Sequence, residues 1–450
     1  MGKVFRWLAL ALGSLGLVAI VAFAIARMSG PSKEEKAALA LLEEPAPPPG
    51  RNAFASLWLM PYPVPEAKLE AILAEDVRRF TQRKTTAQTD VEPLPIFTSI
   101  AAKQYPAAPE PDRERYCKWR DRDCLAKVRA EPNAYADFLE ADATLLARAA
   151  TISGYSHVRS PFPQRMDVPF PPYQHLSRPL TRHAHAFVTG DTDTALNGAC
   201  RDISTARMLI AHGDNLISSM IGAVMLQGNA ALLADMLAEL PGERPLPPSC
   251  TAALAPQQPN EFSTGQAMRG EARLVFESMK EINTSRNPTG KAWQAPLVPI
   301  FYDYEDTIAR MAPRLAWYCG KNAEAAIAAD RPVQSPQSSG MSIGCMDNFI
   351  GCVLVEVGNV SFDEYQHRLQ DAGLRLKAAS TIAWLRDQPG DETMATRLAR
   401  RPQSMRSPAR EIRIGKDGQS LEIDVFDDRD GPTWQLALPA SRLAAADASR

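Results

Sequence analysis

Apolar and polar positions alternate in several different rhythms along this chain, and the first is the plainest. From Trp7 to Ala26 the sequence WLALALGSLGLVAIVAFAIA carries no charge. At about 1.5 Å of rise per residue that run makes roughly 30 Å of helix, the thickness of a bilayer core. Lys3 and Arg6 precede it and Arg27 closes it, a layout shared by retained signal anchors and cleaved signal peptides. Ala24 and Ala26 offer a small-x-small cleavage pattern. The length of the run and the bulky Arg27 after it favour retention, so residues 1–28 read as a cytoplasmic tail and transmembrane anchor. Lys and Arg are nearly balanced across the run. The short tail sets the orientation, leaving the long following part exported.

The second rhythm is helical. SKEEKAALALLEE suits a short helix and PAPPPG, Pro45 to Gly50, a stiff extended break, so 29–50 reads as a Pro-rich linker. Leu69, Leu73, Val77 and Phe80 share one face of a helix over 66–80. Asn133 is placed to cap a single helix, AYADFLEADATLLARAATIS, ending at Gly154. Six prolines between Ser160 and Leu180, with Phe162, Phe170 and Tyr173 among them, exclude regular helix there. That segment is expected to wrap over the core or to serve as a recognition loop. Residues 194–240 carry the strongest pattern, with Met208, Leu216, Met220, Val224 and Leu233 among its apolar positions and a break at Gly213. Further helices are expected over 264–282 and over 305–329, the latter kinked or restarted at Pro313. Ser361 opens an SFDE capping box before a long helix to Leu385.

Only near the end does the period fall to two. EIRI, SLEIDVF and TWQLALP read as three short strands joined by Gly-containing turns. The expected fold is mainly α: a transmembrane helix, an irregular α-helical domain over 51–410, and a small C-terminal antiparallel β meander over 411–439 packed upon it.

Composition narrows the partners. A formal net charge of −2 gives no electrostatic footprint for nucleic acid, and 45% apolar residues can fill a large core. Four of the seven cysteines form two pairs of equal spacing, Cys117 with Cys124 and Cys345 with Cys352. Seven helical steps span about 10.5 Å, too far for a disulfide, so either pair can bridge only if the chain turns between its members. Buried thiols are the other reading. Cys200, Cys250 and Cys319 leave one over, and connectivity stays open.

Chemical signatures are sparse. Five histidines, His157, His175, His183, His185 and His212, fall close together. His183 and His185 could share a metal from an extended chain, with Asp191 or Asp193 as a carboxylate ligand, yet no known zinc spacing is matched. GYSH at 154–157 is half a nucleophile elbow, with Val158 where the second glycine belongs. Asp427, Asp428 and Asp430 suggest calcium, but Phe426 takes the first ligand position. Arg201, Asp202, Arg207, His212 and Asp214 around the Gly213 break fit either a buried ion-pair network or a solvated helix face.

The stretches NAFASLWLMPYPVPE, HGDNLISSMIGAVM and DMLAELP resemble segments of uncharacterised single-pass inner-membrane proteins of Gram-negative bacteria. That resemblance implies a bacterial inner-membrane protein with its large domain in the periplasm, and carries over no functional residue. The expected function is an envelope interaction or scaffold protein with no catalytic residue and no cofactor, whose partners are the membrane and an envelope protein. The alternative is a periplasmic metal-assisted hydrolase using the His-rich segment 157–212, with His175, His183 and His185 as candidate ligands.

Overall fold

The computed structural model describes residues 2–83, 95–107, 112–242, 244–284, 298–336, 343–358, 360–388 and 392–439. The chain is mainly helical, with an apolar N-terminal helix and a three-stranded antiparallel sheet at its C-terminal end. Helix α1, Gly2–Ser29, has a mean hydropathy of 2.6 over Phe5–Ile25, and none of that span is buried against the rest of the molecule. Arg27 at its end lies 3.7 Å from Asp303.

The chain just past α1 is held in place rather than loose. Within the segment read as a linker, α2 (Lys33–Leu41) is closed by a full capping box: Glu35 N donates to Ser32 Oγ and Ser32 N donates back to Glu35. Its Ala38 and the following Leu42 are buried, with Met268, Ala272 and Leu315, in a hydrophobic cluster separate from the main core. Glu44 forms ion pairs with both Arg159 and Arg273, and Arg269 Nε donates to Leu41 O.

The first domain helices, α3 (Phe54–Trp58) and α4 (Leu69–Gln82), with the chain just before α5 (Ala101–Gln104), gather an aromatic group around Phe162. Its ring stands 5.3–5.9 Å from those of Phe54, Trp58, Phe80 and Phe97. The Pro-rich segment thus wraps over the core, burying Phe162, Val168 and Tyr173. Next come α6 (Cys124–Ala130), α7 (Pro132–Glu140) and α8 (Ala143–Thr151). The single helix expected from Asn133 is therefore two, and Asn133 does not cap it; Pro132 holds the first helical position. The break falls at Asp142, whose carboxylate leaves the cap to accept two hydrogen bonds from Arg178 at 2.8 and 2.9 Å and another from Tyr116. A buried charge pair outweighs the weak local preference for continuing the helix.

Helices α9 (Arg178–Val188), α10 (Thr192–His212) and α11 (Leu216–Glu239) form the centre. As the pattern predicts, Gly213 ends α10; Asn215 then caps α11, and the two helices fold back on each other as a hairpin. Helix α11 is long and apolar enough to cross a membrane, but 78% of its most apolar window is buried: it is the core helix. Helix α12 (Pro248–Ala253) rests on α10, and α13 (Gly265–Thr284) crosses the hairpin turn.

That crossing leaves no room for a side chain at Gly270, where a Cβ would sit 1.6 Å from the Asp214 carbonyl oxygen. Backbone cannot rotate away as a side chain can, so Gly270→Ala is expected to destabilise by roughly 1–3 kcal/mol or more. A urea midpoint within error of wild type would contradict this packing.

Helix α14 (Val298–Phe301) is followed by α15 (Tyr304–Ala316) and α16 (Lys321–Ala328), which complete the second cluster, and by α17 (Phe349–Val357), which packs on α14 and α15. Pro313 is accommodated inside α15, and the restart comes later, at the 3-10 turn Trp317–Cys319. Helix α18 (Asp363–Arg386) packs along α11 and is followed by α19 (Met394–Ala399). The capping box expected at Ser361 is not made: Ser361 Oγ receives Asp363 N at 3.2 Å, while Glu364 faces Arg368. Strands β1 (Ile412–Ile414), β2 (Ser420–Asp424) and β3 (Thr433–Ala437) form the meander, with Ile412 opposite Ile423 and Ile423 opposite Trp434. Its buried face, Ile412, Leu421, Ile423, Trp434 and Leu436, closes over α18 and α11.

Candidate functional site

The structure does not bring the three candidate ligands His175, His183 and His185 together, and of the other two histidines His157 lies near His212 across the Val158 to Gly213 bridge. His183 and His185 lie on α9, where two helical steps turn them about 200° apart. His183 Nε2 is 3.0 Å from Asp202 Oδ2 in the core, its ring packed so closely on α10 that a Cβ at Gly198 would sit 2.2 Å from Nδ1. His185 Nε2 instead meets the Pro132 carbonyl at 3.0 Å. His175 is buried in a 3-10 turn beside the pair Asp142 and Arg178, lining a cavity of about 650 Å³. Asp191 caps α10 and Asp193 pairs with Arg244 at 2.7 Å. Among the described residues no group of three or more His, Cys, Asp or Glu stands close enough to hold a metal ion.

Ser156 and His157 do touch, Oγ to Nδ1 at 2.9 Å, but the serine hydroxyl also donates to Arg51 O at 3.2 Å. The Arg51 carbonyl thus competes with the imidazole for the single hydroxyl proton that a base-activated nucleophile would give up. Two of the three acids in the turn before β3 are engaged by arginines, Asp427 with Arg429 and Arg368 and Asp430 with Arg120. The charges around Gly213 resolve into separate contacts. Arg207 grips Glu261 at 2.5 and 2.9 Å, Asp202 meets His183, and Asp214 accepts from Ser160 N at 2.6 Å, while Arg201 donates to Asn197 O on its own helix.

All three cysteine pairs within bridging distance are disulfides: Cys117 with Cys124, Cys345 with Cys352, and Cys200 with Cys250, at Cα separations of 5.5, 5.8 and 4.8 Å. In both short pairs the second cysteine sits on a helix and the first before it, which supplies the turn that spacing demands. Cys319 keeps a free thiol, half-buried, with its pKa pushed up by that burial.

A groove that sequence reasoning did not single out runs between α11, α18 and the meander. Its floor is one stripe of α11, Ile217, Met220, Ile221 and Val224, at the helical spacing i, i+3, i+4, i+7. Phe362 and Tyr365 face that stripe across a space of about 630 Å³. The groove adjoins a smaller cavity of about 280 Å³ lined by Arg122, Gln227, Arg375 and Trp434. Together the two are bounded by five arginines and three acids. Arg120 pairs with Asp430, and Arg368 and Arg429 with Asp427. Burial pulls the Asp427 carboxyl upward, but those two guanidinium groups hold it below the usual carboxylate range. Glu271 receives Leu216 N and is pushed up by burial. Arg122 donates to Gln435 O at 2.9 Å.

Arg375 is different. It is 8% exposed, and among the described residues it makes no hydrogen bond or ion pair, packing instead over Trp434 at 5.5 Å. Burial pushes its guanidinium down to about 10, still cationic at neutral pH.

No protein-family profile, curated protein or solved structure matches the chain. Its functional reading therefore rests on its own geometry. Arg375 left a mark in the sequence: it falls on the apolar stripe of α18, between Ala372 and Ala379. Trp434, one apolar position in a short alternating strand, left none.

Proposed function

We propose that this chain is a membrane-anchored protein of the bacterial envelope, with α1 retained in the inner membrane and the domain held in the periplasm, and that it acts by binding rather than by catalysis. One observation carries the reading: α2, four residues beyond α1, is capped at its start and buried along one side in the second hydrophobic cluster. A domain gripped this way stands at a fixed, short distance from the bilayer, as an envelope interaction protein requires and a freely diffusing enzyme does not. Three disulfides fit an oxidising compartment.

The expected result is that the intact chain sediments with inner membranes, resists extraction by carbonate, and keeps its N-terminal residues by intact mass. Protease added to spheroplasts should digest the domain. A carbonate-soluble product lacking residues before 27 would reject the anchor, and a domain protected in spheroplasts would reverse the orientation.

A further inference from the structure

We infer that the groove between α11, α18 and the meander binds a single-chain amphipath with a carboxylate head, a long-chain fatty acid. This goes beyond the anchoring role, and its head site rests on Arg375 and Trp434, which lie outside the cluster that buries α2.

The head site comes first. Two buried donors, Arg375 Nε and Trp434 Nε1, have no acceptor among the described residues, and both side chains line the 280 Å³ cavity. An orphaned buried donor is costly to keep, and here one of the two belongs to a buried cation. Neighbouring acids do not satisfy it: the Asp371 carboxylate is taken by Arg410 and by the Phe426 and Asp427 amides, and Asp427 is taken by Arg368 and Arg429. A ligand carboxylate supplies two acceptor oxygens in the plane that a guanidinium prefers. Asp427 and Asp430 also border the cavity, so a dianionic phosphate would meet more repulsion there than a monoanion.

The tail site adjoins it. Arg375 and Gln227 line both spaces, so a head placed at Arg375 points its tail along α11. From Gln227 back to Leu216 the helix offers about 16 Å of trough at roughly 1.5 Å per residue. The stripe there is aliphatic and thioether carbon, with Ile217 43% exposed at its far end. Such a floor has nothing to offer the amides of a peptide C-terminus, whereas a hydrocarbon needs nothing else.

The test uses the full chain in phosphatidylcholine nanodiscs with a diazirine-bearing palmitic acid, mapping the crosslink by mass spectrometry. The acid should label the α11 peptide spanning 216–227, and unlabelled palmitate should compete. The methyl ester of the probe, lacking the charge, should label that peptide about tenfold less, as loss of one charge-assisted hydrogen bond implies. Arg375→Met should lose labelling to the same degree while its thermal midpoint holds or rises, because an unsatisfied buried cation has been removed. Ile217→Glu, at an exposed position that folding tolerates, should also abolish labelling. Labelling confined to α1, equal labelling by the ester, or an Arg375→Met protein that melts earlier or still labels would overturn the proposal. Displacement of the probe by an unrelated hydrophobic peptide with a free carboxylate, as effectively as by palmitate, would overturn the hydrocarbon assignment.

Discussion

Replacing Arg410 with methionine is expected to remove about 3–5 kcal/mol of stability and to release the β meander from the helical domain. Arg410 precedes β1 and is 8% exposed. Its Nε and Nη2 reach the two oxygens of Asp330 at 2.9 and 2.6 Å, its Nη1 reaches Asp371, and its Cζ lies 3.7 Å from the Phe426 ring centroid. Asp330 sits at φ +48°, a strained backbone for a residue with a side chain, after the end of α16. Removing the guanidinium leaves two buried carboxylates facing each other's field, one of them fully buried. Arg413 provides the contrast. It also bridges a carboxylate, Asp424, at 2.7 Å, but at the surface, so Arg413→Ala should cost under about 1 kcal/mol. Guanidinium denaturation of the full chain would give both values, and hydrogen exchange should rise across 412–437 in the Arg410 variant alone. Equal costs for the two variants would show that burial is not what makes the Arg410 contacts matter.

The fold was legible where one apolar period continued long enough to dominate. The hairpin of α10 and α11, the long α18 and the three strands all obey that rule, and Gly213 marks the turn in sequence as in space. Legibility failed where a single polar residue had a distant partner. Asp142 breaks a helix that its neighbours would continue, because Arg178 and Tyr116 lie 36 and 26 residues away in sequence. The Ser361 box fails for a related reason: Glu364 is drawn to Arg368, and Asp363 to Tyr318 and Ser335. The histidine cluster carried a condition with it: a metal shared by His183 and His185 needs an extended chain, and residues 178–188 are helix. His183 and His185 on an extended chain would share a face; on α9 they serve different neighbours. The groove stayed hidden because its floor belongs to α11, whose stripe reads as core in any sequence, and its walls to α18 and a meander turn about 200 residues further on. Arg375 within the α18 stripe was the available clue: a cation on an apolar face needs either an acid nearby or a ligand.

Removing the Cys200 to Cys250 disulfide should do more damage than removing either of the others. The bridge joins α10 to α12 across a separation of 50 residues, against 7 for each of the other two. Cross-linking restricts the unfolded chain more as the closed loop lengthens, which gives about 4 kcal/mol for the long loop and roughly 2 kcal/mol for a short one at 25 °C. Total stability of a domain is commonly about 5–15 kcal/mol, so the long bridge accounts for a large share of it and a short one for a modest share. Both cysteines are fully buried, and alanine at each leaves only the volume of one sulfur to refill. The paired variant Cys200→Ala with Cys250→Ala should therefore shift the denaturation midpoint about twice as far as Cys117→Ala with Cys124→Ala. Loop closure predicts the ranking whichever face of the membrane the domain occupies. The compartment decides whether the bridge forms: the exported protein should resist alkylation of Cys200 without reduction, whereas a copy stripped of α1 and kept in the reducing cytoplasm should be alkylated there and unfold at the lower denaturant concentration of the alanine pair. Equal midpoints for the long-loop and short-loop variants would place the stabilisation in the folded packing around the sulfurs rather than in the chain they close.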